Sequence, residues 1–203
     1  TAIGVALITD NQRILIEKNS ESNTTSIKAA YDADGASNTD YTNFYWGPYG
    51  TDVSSITNWT GGDGKSIPTD YTTWQSNSTY AWNDYNGKSN TAALLNLTDS
   101  DSYTTYANAV TYCKKFNETP LENQGYTDWY IPACGQLALI YINRTEINAA
   151  LTKIGGTTLN TSFSYWSSSE YSSIRGWSVY FYNGLIFWYD KSNNDRVRLL
   201  RDF

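Results

Sequence analysis

The stretch from Tyr165 to Tyr189, YWSSSEYSSIRGWSVYFYNGLIFWY, constrains this chain more than any other segment. Large apolar residues alternate on both sides of Asn183-Gly184, a dipeptide that predicts a two-residue hairpin turn. With that loop, Tyr182 faces Leu185, Tyr180 faces Phe187 and Ser178 faces Tyr189 on one side of the sheet. On the other side Phe181 faces Ile186 and Val179 faces Trp188, and Trp177 continues the row. Strand side chains alternate, so one sheet cannot bury both sets unless something covers each side. The Trp177 set is expected in the core, and Ser178, Tyr180, Tyr182, Leu185, Phe187 and Tyr189 are expected on an open face. An exposed patch that apolar marks a binding surface. The competing reading is a second core face, covered by the N-terminal half of the chain.

Elsewhere the pattern predicts an α+β chain. Residues 2–8 (AIGVALI) and 13–17 (RILIE) read as two strands around the turn Thr9-Asp10-Asn11-Gln12. Between about residues 19 and 100 periodicity is weak. Aromatic islands there (Phe44-Tyr45-Trp46, Trp59, Trp74, Trp82) predict short strands and packed loops, because disordered segments are poor in aromatics. The clearest helix covers 101–117, with Tyr103, Ala107 and Val110 beside Tyr106, Ala109, Cys113 and Phe116. Asp99, Ser100 and Asp101 are its cap candidates, and Pro120 is its stop. A second helical stretch spans roughly 135–152, in one or two pieces, with Leu137, Ile140, Tyr141, Ile147 and Leu151 on its apolar face. Gly125–Pro132 is expected as a short strand leading into it. From Tyr165 onward everything reads as β, ending in the alternating run Arg196-Val197-Arg198-Leu199. No break in composition suggests a linker, so one domain is expected over 1–203.

Charge and composition exclude several functions. A net charge of −6 and a pI near 4.6 argue against nucleic acid or anionic membrane as partner, since both select basic patches. No apolar run approaches the length that spans a bilayer. The chain has no histidine, which rules out Ser-His-Asp and Cys-His mechanisms. Cys113 and Cys134 are too few for a disulfide framework, and without histidine they cannot build an ordinary zinc site. They read either as one bridge or as two buried thiols. Asp32-Ala33-Asp34-Gly35 and Asp99-Ser100-Asp101 offer oxygen ligands but lack the distal Glu of a calcium loop, so turn and capping roles are expected. Neither a cofactor nor a metal is expected. The chain starts at Thr1 and holds no methionine, so it is expected to be a processed piece, its signal or anchor lost with the missing end.

Three segments in order, GYTDWYIP before a helix, YWSSSEYSS with the following Trp177, and the terminal VRLLRDF, carry a resemblance. Together they resemble the C-type lectin fold of the formylglycine-generating-enzyme-like subclass. More narrowly, they resemble the variable proteins of bacterial and phage diversity-generating retroelements. The resemblance covers about residues 101–203, and Leu199-Leu200 departs from the Val-Arg-Pro-Val-Arg ending common in that family. It implies a non-catalytic protein displayed on a cell surface or a phage particle. Its C-terminal region, about 165–203, would meet a protein or glycan ligand. It also implies diversification at Ile174, Arg175, Ser178, Tyr180, Tyr182, Leu185, Phe187, Tyr189, Asp190, Ser192, Asn193, Asn194 and Asp195. Adenine mutagenesis of asparagine codons reaches those residue types but not Trp. Trp177 and Trp188 are accordingly implied as scaffold, the alternation places Val179, Phe181 and Ile186 with them, and Trp166 is expected as scaffold too. Enzymes sharing the fold use a cysteine pair at the site, whereas Cys113 and Cys134 lie outside the C-terminal β region. The alternative function is a carbohydrate-binding module with a fixed aromatic platform; the Glu/Gln-Pro-Asn type loop of calcium-dependent lectins is absent from the sequence.

Overall fold

Two antiparallel sheets and several helices make up the α+β fold expected from the sequence. The computed structural model describes residues 2–10, 12–18, 44–69, 76–97 and 108–203. In chain order the elements are β1 (Gly4–Ile8), β2 (Arg13–Glu17), β3 (Lys65–Ser66), a 3-10 turn (Ala81–Asn83), α1 (Gly87–Leu95), α2 (Ala109–Glu118) and α3 (Pro120–Asn123). Then follow α4 (Cys134–Ile142), α5 (Arg144–Lys153), β4 (Ser164–Ser172), β5 (Arg175–Tyr180), β6 (Leu185–Asp190) and β7 (Leu200–Asp202). One sheet has the order β1-β2-β7 and the other β3-β6-β5-β4.

The opening hairpin forms as its pattern predicts, with Ile8 opposite Arg13 and Gly4 opposite Glu17. Ile14 and Ile16 are buried, which gives the strand its anchoring face. β7 closes the other side of β2, so the end of the chain returns to its start.

More helices form than the two expected, and α1 shows why one was missed. Its buried stripe is Gly87, Asn90, Thr91 and Leu94, so apolar periodicity has almost nothing to register. Hydrogen bonds compensate the polar burial. Asn90 donates to Asp84 at 2.9 Å, and the Thr91 hydroxyl both accepts from the Ile131 N–H (2.9 Å) and donates to the Ile131 carbonyl (3.3 Å).

The helix expected over 101–117 is described from Ala109, capped by Asn108. The Asn108 side chain accepts from the Thr111 N–H at 2.8 Å, and the Thr111 hydroxyl accepts from the Asn108 N–H at 3.2 Å. Such a reciprocal cap contributes about 1 kcal/mol. Tyr103, Tyr106, Ala107 and the cap candidates Asp99, Ser100 and Asp101 lie outside the described residues. Pro120 ends α2 by opening the short α3. The second helical stretch is two helices, α4 and α5, divided at Asn143.

Gly125–Pro132 forms no strand; only Tyr130 bridges, to Leu200. The terminal alternation is also not a half-exposed strand. Val197, Arg198 and Leu199 are all buried: Val197 and Leu199 in the apolar cluster with Trp166, and Arg198 because it donates to the carbonyls of Glu17 and Thr157, each at 2.9 Å.

Cys113 and Cys134 are free, buried thiols, so of the two readings the unbridged one holds. Cys134 packs with Leu137, Trp177, Val179 and Ile186, and Cys113 in a separate cluster with Trp46, Val110, Phe116 and Trp166. Burial pushes both thiols up, with Glu17 adding at Cys113 and Asp84 at Cys134. Thiols held protonated in this way are poor nucleophiles.

Candidate functional site

The hairpin of β5 and β6 carries the site, and its turn is longer than expected. Tyr180 pairs with Leu185, Val179 with Ile186, Ser178 with Phe187 and Trp177 with Trp188, which leaves Phe181–Gly184 as a four-residue loop. The Gly184 N–H closes it by donating to the Tyr180 carbonyl at 2.8 Å. Gly184 has φ +73°, and a Cβ there would lie 2.3 Å from the Tyr141 ring, so both backbone and space require glycine. Each pairing is displaced by two residues from the expected one. Since side-chain parity has a period of two, the division into two faces survives the error.

The core face is Trp177, Val179 and Ile186, all buried, with Phe181 reaching in from the loop. Phe181 packs against Tyr165 (centroids 4.6 Å apart) and Tyr141 (5.7 Å). The Trp177 indole N–H donates to the Trp59 carbonyl at 2.9 Å, and that of the buried Trp166 to the Phe44 carbonyl at 2.7 Å. Trp188, expected as buried scaffold, is only half-buried, between the Tyr171 ring (5.4 Å) and the Arg175 guanidinium (3.7 Å).

The other face is divided. Over β5 Trp46 lies against Gly176, where a Cβ would come within 2.5 Å of the indole. Here the competing reading, cover from the N-terminal half, holds. Ser178, expected to face outward, is likewise fully buried. The chain after β6 returns across it, and the Ser178 hydroxyl donates to Asp195 Oδ2 at 2.7 Å while Ser164 donates to Asp195 Oδ1. Asp195 is itself buried, and its backbone pairs with Phe44 (2.7 and 2.9 Å). Burial pushes the Asp195 carboxyl up to about 6, against the lowering effect of the two serine hydroxyls.

Over β6 and the turn end of β5 the face opens. Tyr180, Leu185 and Phe187 are half-buried, and Tyr182 and Tyr189 are exposed. Tyr180, Phe187 and Tyr189 make a continuous ring ladder, with centroid separations of 6.3 Å and 4.4 Å and both contacts edge-to-face. They form one wall of an open cleft of about 660 Å³, completed by Ser162, Phe163, Ser164, Asn193, Asn194 and Asp195. The Phe163 ring is exposed, with the Arg196 guanidinium 4.0 Å above it. Edge-to-face rings of this kind gain about 0.5–1.5 kcal/mol beyond the area they bury, so the wall is held in place before any ligand arrives.

The segment after β6 is an arch pinned at both ends. Lys191 is fully buried and pairs with the equally buried Glu170. Its ammonium also donates to the Thr51 carbonyl (3.2 Å) and lies 4.3 Å from the Trp46 ring, while the second Glu170 oxygen accepts from the Val53 N–H at 3.0 Å. Burial pushes the Glu170 carboxyl up, and Lys191 pulls it back. Asp195 is the other pin. Between them Asn193 and Asn194 are exposed and Ser192 is half-buried, and Asp190 accepts from the Ser192 N–H at 2.9 Å.

Of the residues expected at the site, the cleft gathers Tyr180, Phe187, Tyr189, Asn193, Asn194 and Asp195. Ile174, Arg175, Tyr182, Leu185, Asp190 and Ser192 lie outside its lining, and Ser178 beneath it. Arg175 and Asp190 are paired across the strands on the Trp188 side. Sequence reasoning missed Ser162, Phe163 and Ser164. Their one signal is an aromatic just ahead of the YWSSSEYSS strand, at a position that no hairpin pairing reaches.

Among the described residues no group of three or more His, Cys, Asp or Glu side chains could hold a metal. The clusters at Asp32–Asp34 and Asp99–Asp101 lie outside those residues. No described helix is long and apolar enough to cross a membrane.

Comparison with known proteins adds a family. The Lcl C-terminal domain family matches residues 59–201, and the chain belongs to that family. Among solved structures, the crystal structure of a fimbrial protein from Bacteroides ovatus is similar, at 20% identity and a TM-score of 0.47. The match covers 72% of this chain and 33% of that one, so the chain spans about a third of that protein's length. No curated protein matches.

Proposed function

We propose that this member of the Lcl C-terminal domain family is a non-catalytic binding protein, displayed on a bacterial surface or a phage particle. In this reading residues 1–203 form one C-type-lectin-like domain, and a retroelement diversifies the C-terminal face. Family membership supports the resemblance to diversity-generating variable proteins. The observation that carries the reading is the split of one hairpin into a fixed face and an open aromatic cleft. Tyr side chains give large contact area with few torsions to freeze, and Asn and Ser give adaptable hydrogen bonds, which is the chemistry of binding loops.

The fixed half has a defined task. Trp177, Val179 and Ile186 hold the strands, while Lys191 and Asp195 hold the arch, so residues between the pins change without moving the backbone. The test is the sequence of sister copies of the gene. Variation is expected at Tyr180, Tyr182, Phe187, Tyr189, Asn193 and Asn194, with a near-identical template repeat and a reverse transcriptase gene nearby. An invariant face without such a repeat overturns diversification. It favours instead a fixed carbohydrate platform, for which the Asn193 and Asn194 amides beside the ring ladder are the supporting observation.

A further inference from the structure

Resting on the reading of the cleft as the ligand site, we propose that it selects a cationic side chain of a protein partner. A lysine ammonium or arginine guanidinium would enter along the Tyr180, Phe187 and Tyr189 rings and meet the Asp195 carboxylate at the floor. Three features point to this ligand. Ring faces attract cations, more strongly where water is partly excluded. Among the described residues Asp195 is the one carboxylate lining the cleft, and it accepts from the Ser164 and Ser178 hydroxyls and from the Arg196 backbone N–H. A carboxylate offers about four acceptor sites, so acceptor capacity remains for an incoming donor. The cleft also shows the chemistry already, since the Arg196 guanidinium lies 4.0 Å over the Phe163 ring at its rim.

The nearby charges leave this preference standing. Lys191, four residues before Asp195, is paired with Glu170 and lies over the Trp46 ring. β4 and β5 present hydroxyls to Asp195, not ions, and the backbone of Phe44 completes its surroundings. Among the described residues Arg196, on the same segment, is the cation whose charge acts on it, and that charge lowers its titration less than the serine hydroxyls do. The carboxylate is therefore buried, ionised at neutral pH and incompletely compensated. A ligand cation would restore the solvation lost on burial, so affinity follows the ionised fraction of a group that titrates at about 6.

The probes are Nα-acetyl-lysine amide in its free, Nε-trimethyl and Nε-acetyl forms, titrated against the whole chain by NMR chemical shift. The two cationic forms are expected to move the Tyr180, Phe187, Tyr189 and Asn193 resonances and to bind at least about tenfold more tightly than the neutral acetyl form. Cation affinity is expected to drop about tenfold from about pH 7.5 to about pH 5, as a site titrating near 6 loses its charge. Asp195→Asn should abolish both preferences. If that variant fails to fold, the pH series on the unaltered protein still decides. Equal binding of the acetylated probe, or an affinity unchanged at about pH 5, overturns the proposal. If a neutral methyl glycoside moves the same resonances while the cations do not, the cleft remains the ligand site and only the cation preference falls. If none of the probes moves them, both readings fall.

Discussion

The two faces of β5 and β6 are made of similar residues and meet opposite fates. Trp177, Val179 and Ile186 lie against α4 and its neighbours, while Tyr180, Phe187 and Tyr189 border an open cleft. Hydrophobicity does not distinguish the two rows. What does is cover arriving from distant parts of the chain. Cys134 and Leu137 cover the Trp177 row and leave Trp188 half-buried, whereas Trp46 and Asp195 cover only the β5 half of the other face. A sheet of this kind becomes a binding surface where its cover stops.

The largest expected effect tests the covered face. Trp177→Ala removes a fully buried indole and strands the carbonyl of Trp59, and should cost about 3–5 kcal/mol in urea unfolding. A loss below about 1 kcal/mol would erase the contrast between the faces. Next comes the partly covered half. Asp195 titrates at about 6 in the fold, against about 3.9 for an ordinary aspartate. Between those values the folded protein binds more protons than the unfolded chain. The contribution is therefore full below about pH 4 and lost as pH rises through about 6, a change of roughly 2–3 kcal/mol. Urea midpoints of wild type and Asp195→Asn across that window should diverge with this sign. The smallest effect sharpens the open half. Asn193→Ala and Asn194→Ala should each change stability by less than about 0.5 kcal/mol, because both side chains are exposed between fixed pins. A thermal shift of several degrees for either would show that the arch is structural throughout.

The sequence made the faces legible but not their cover. Alternation assigned Trp177, Val179 and Ile186 correctly even though the turn was misread by two residues, because parity forgives an even slip. The same alternation placed Ser178 outside, since no local pattern reveals that Asp195 folds back over it. Lys191 and Arg198 escaped notice for a related reason. Charged residues read as surface, and both are buried only because Glu170 in one case, and the carbonyls of Glu17 and Thr157 in the other, supply partners far along the chain. α1 was hidden because its buried stripe is polar, and Phe163 because its place in the cleft depends on where β4 begins.

The parity that protects this hairpin also limits how it can evolve. Replacing a side chain on the ladder exchanges one ring or amide for another and leaves the frame intact. Adding or deleting a single residue within β5 or β6 would invert that strand beyond the change, turning its core residues outward and its cleft residues inward. Such a change should cost the whole fold rather than adjust the ligand. Length is thus the inherited quantity of this surface and composition the free one.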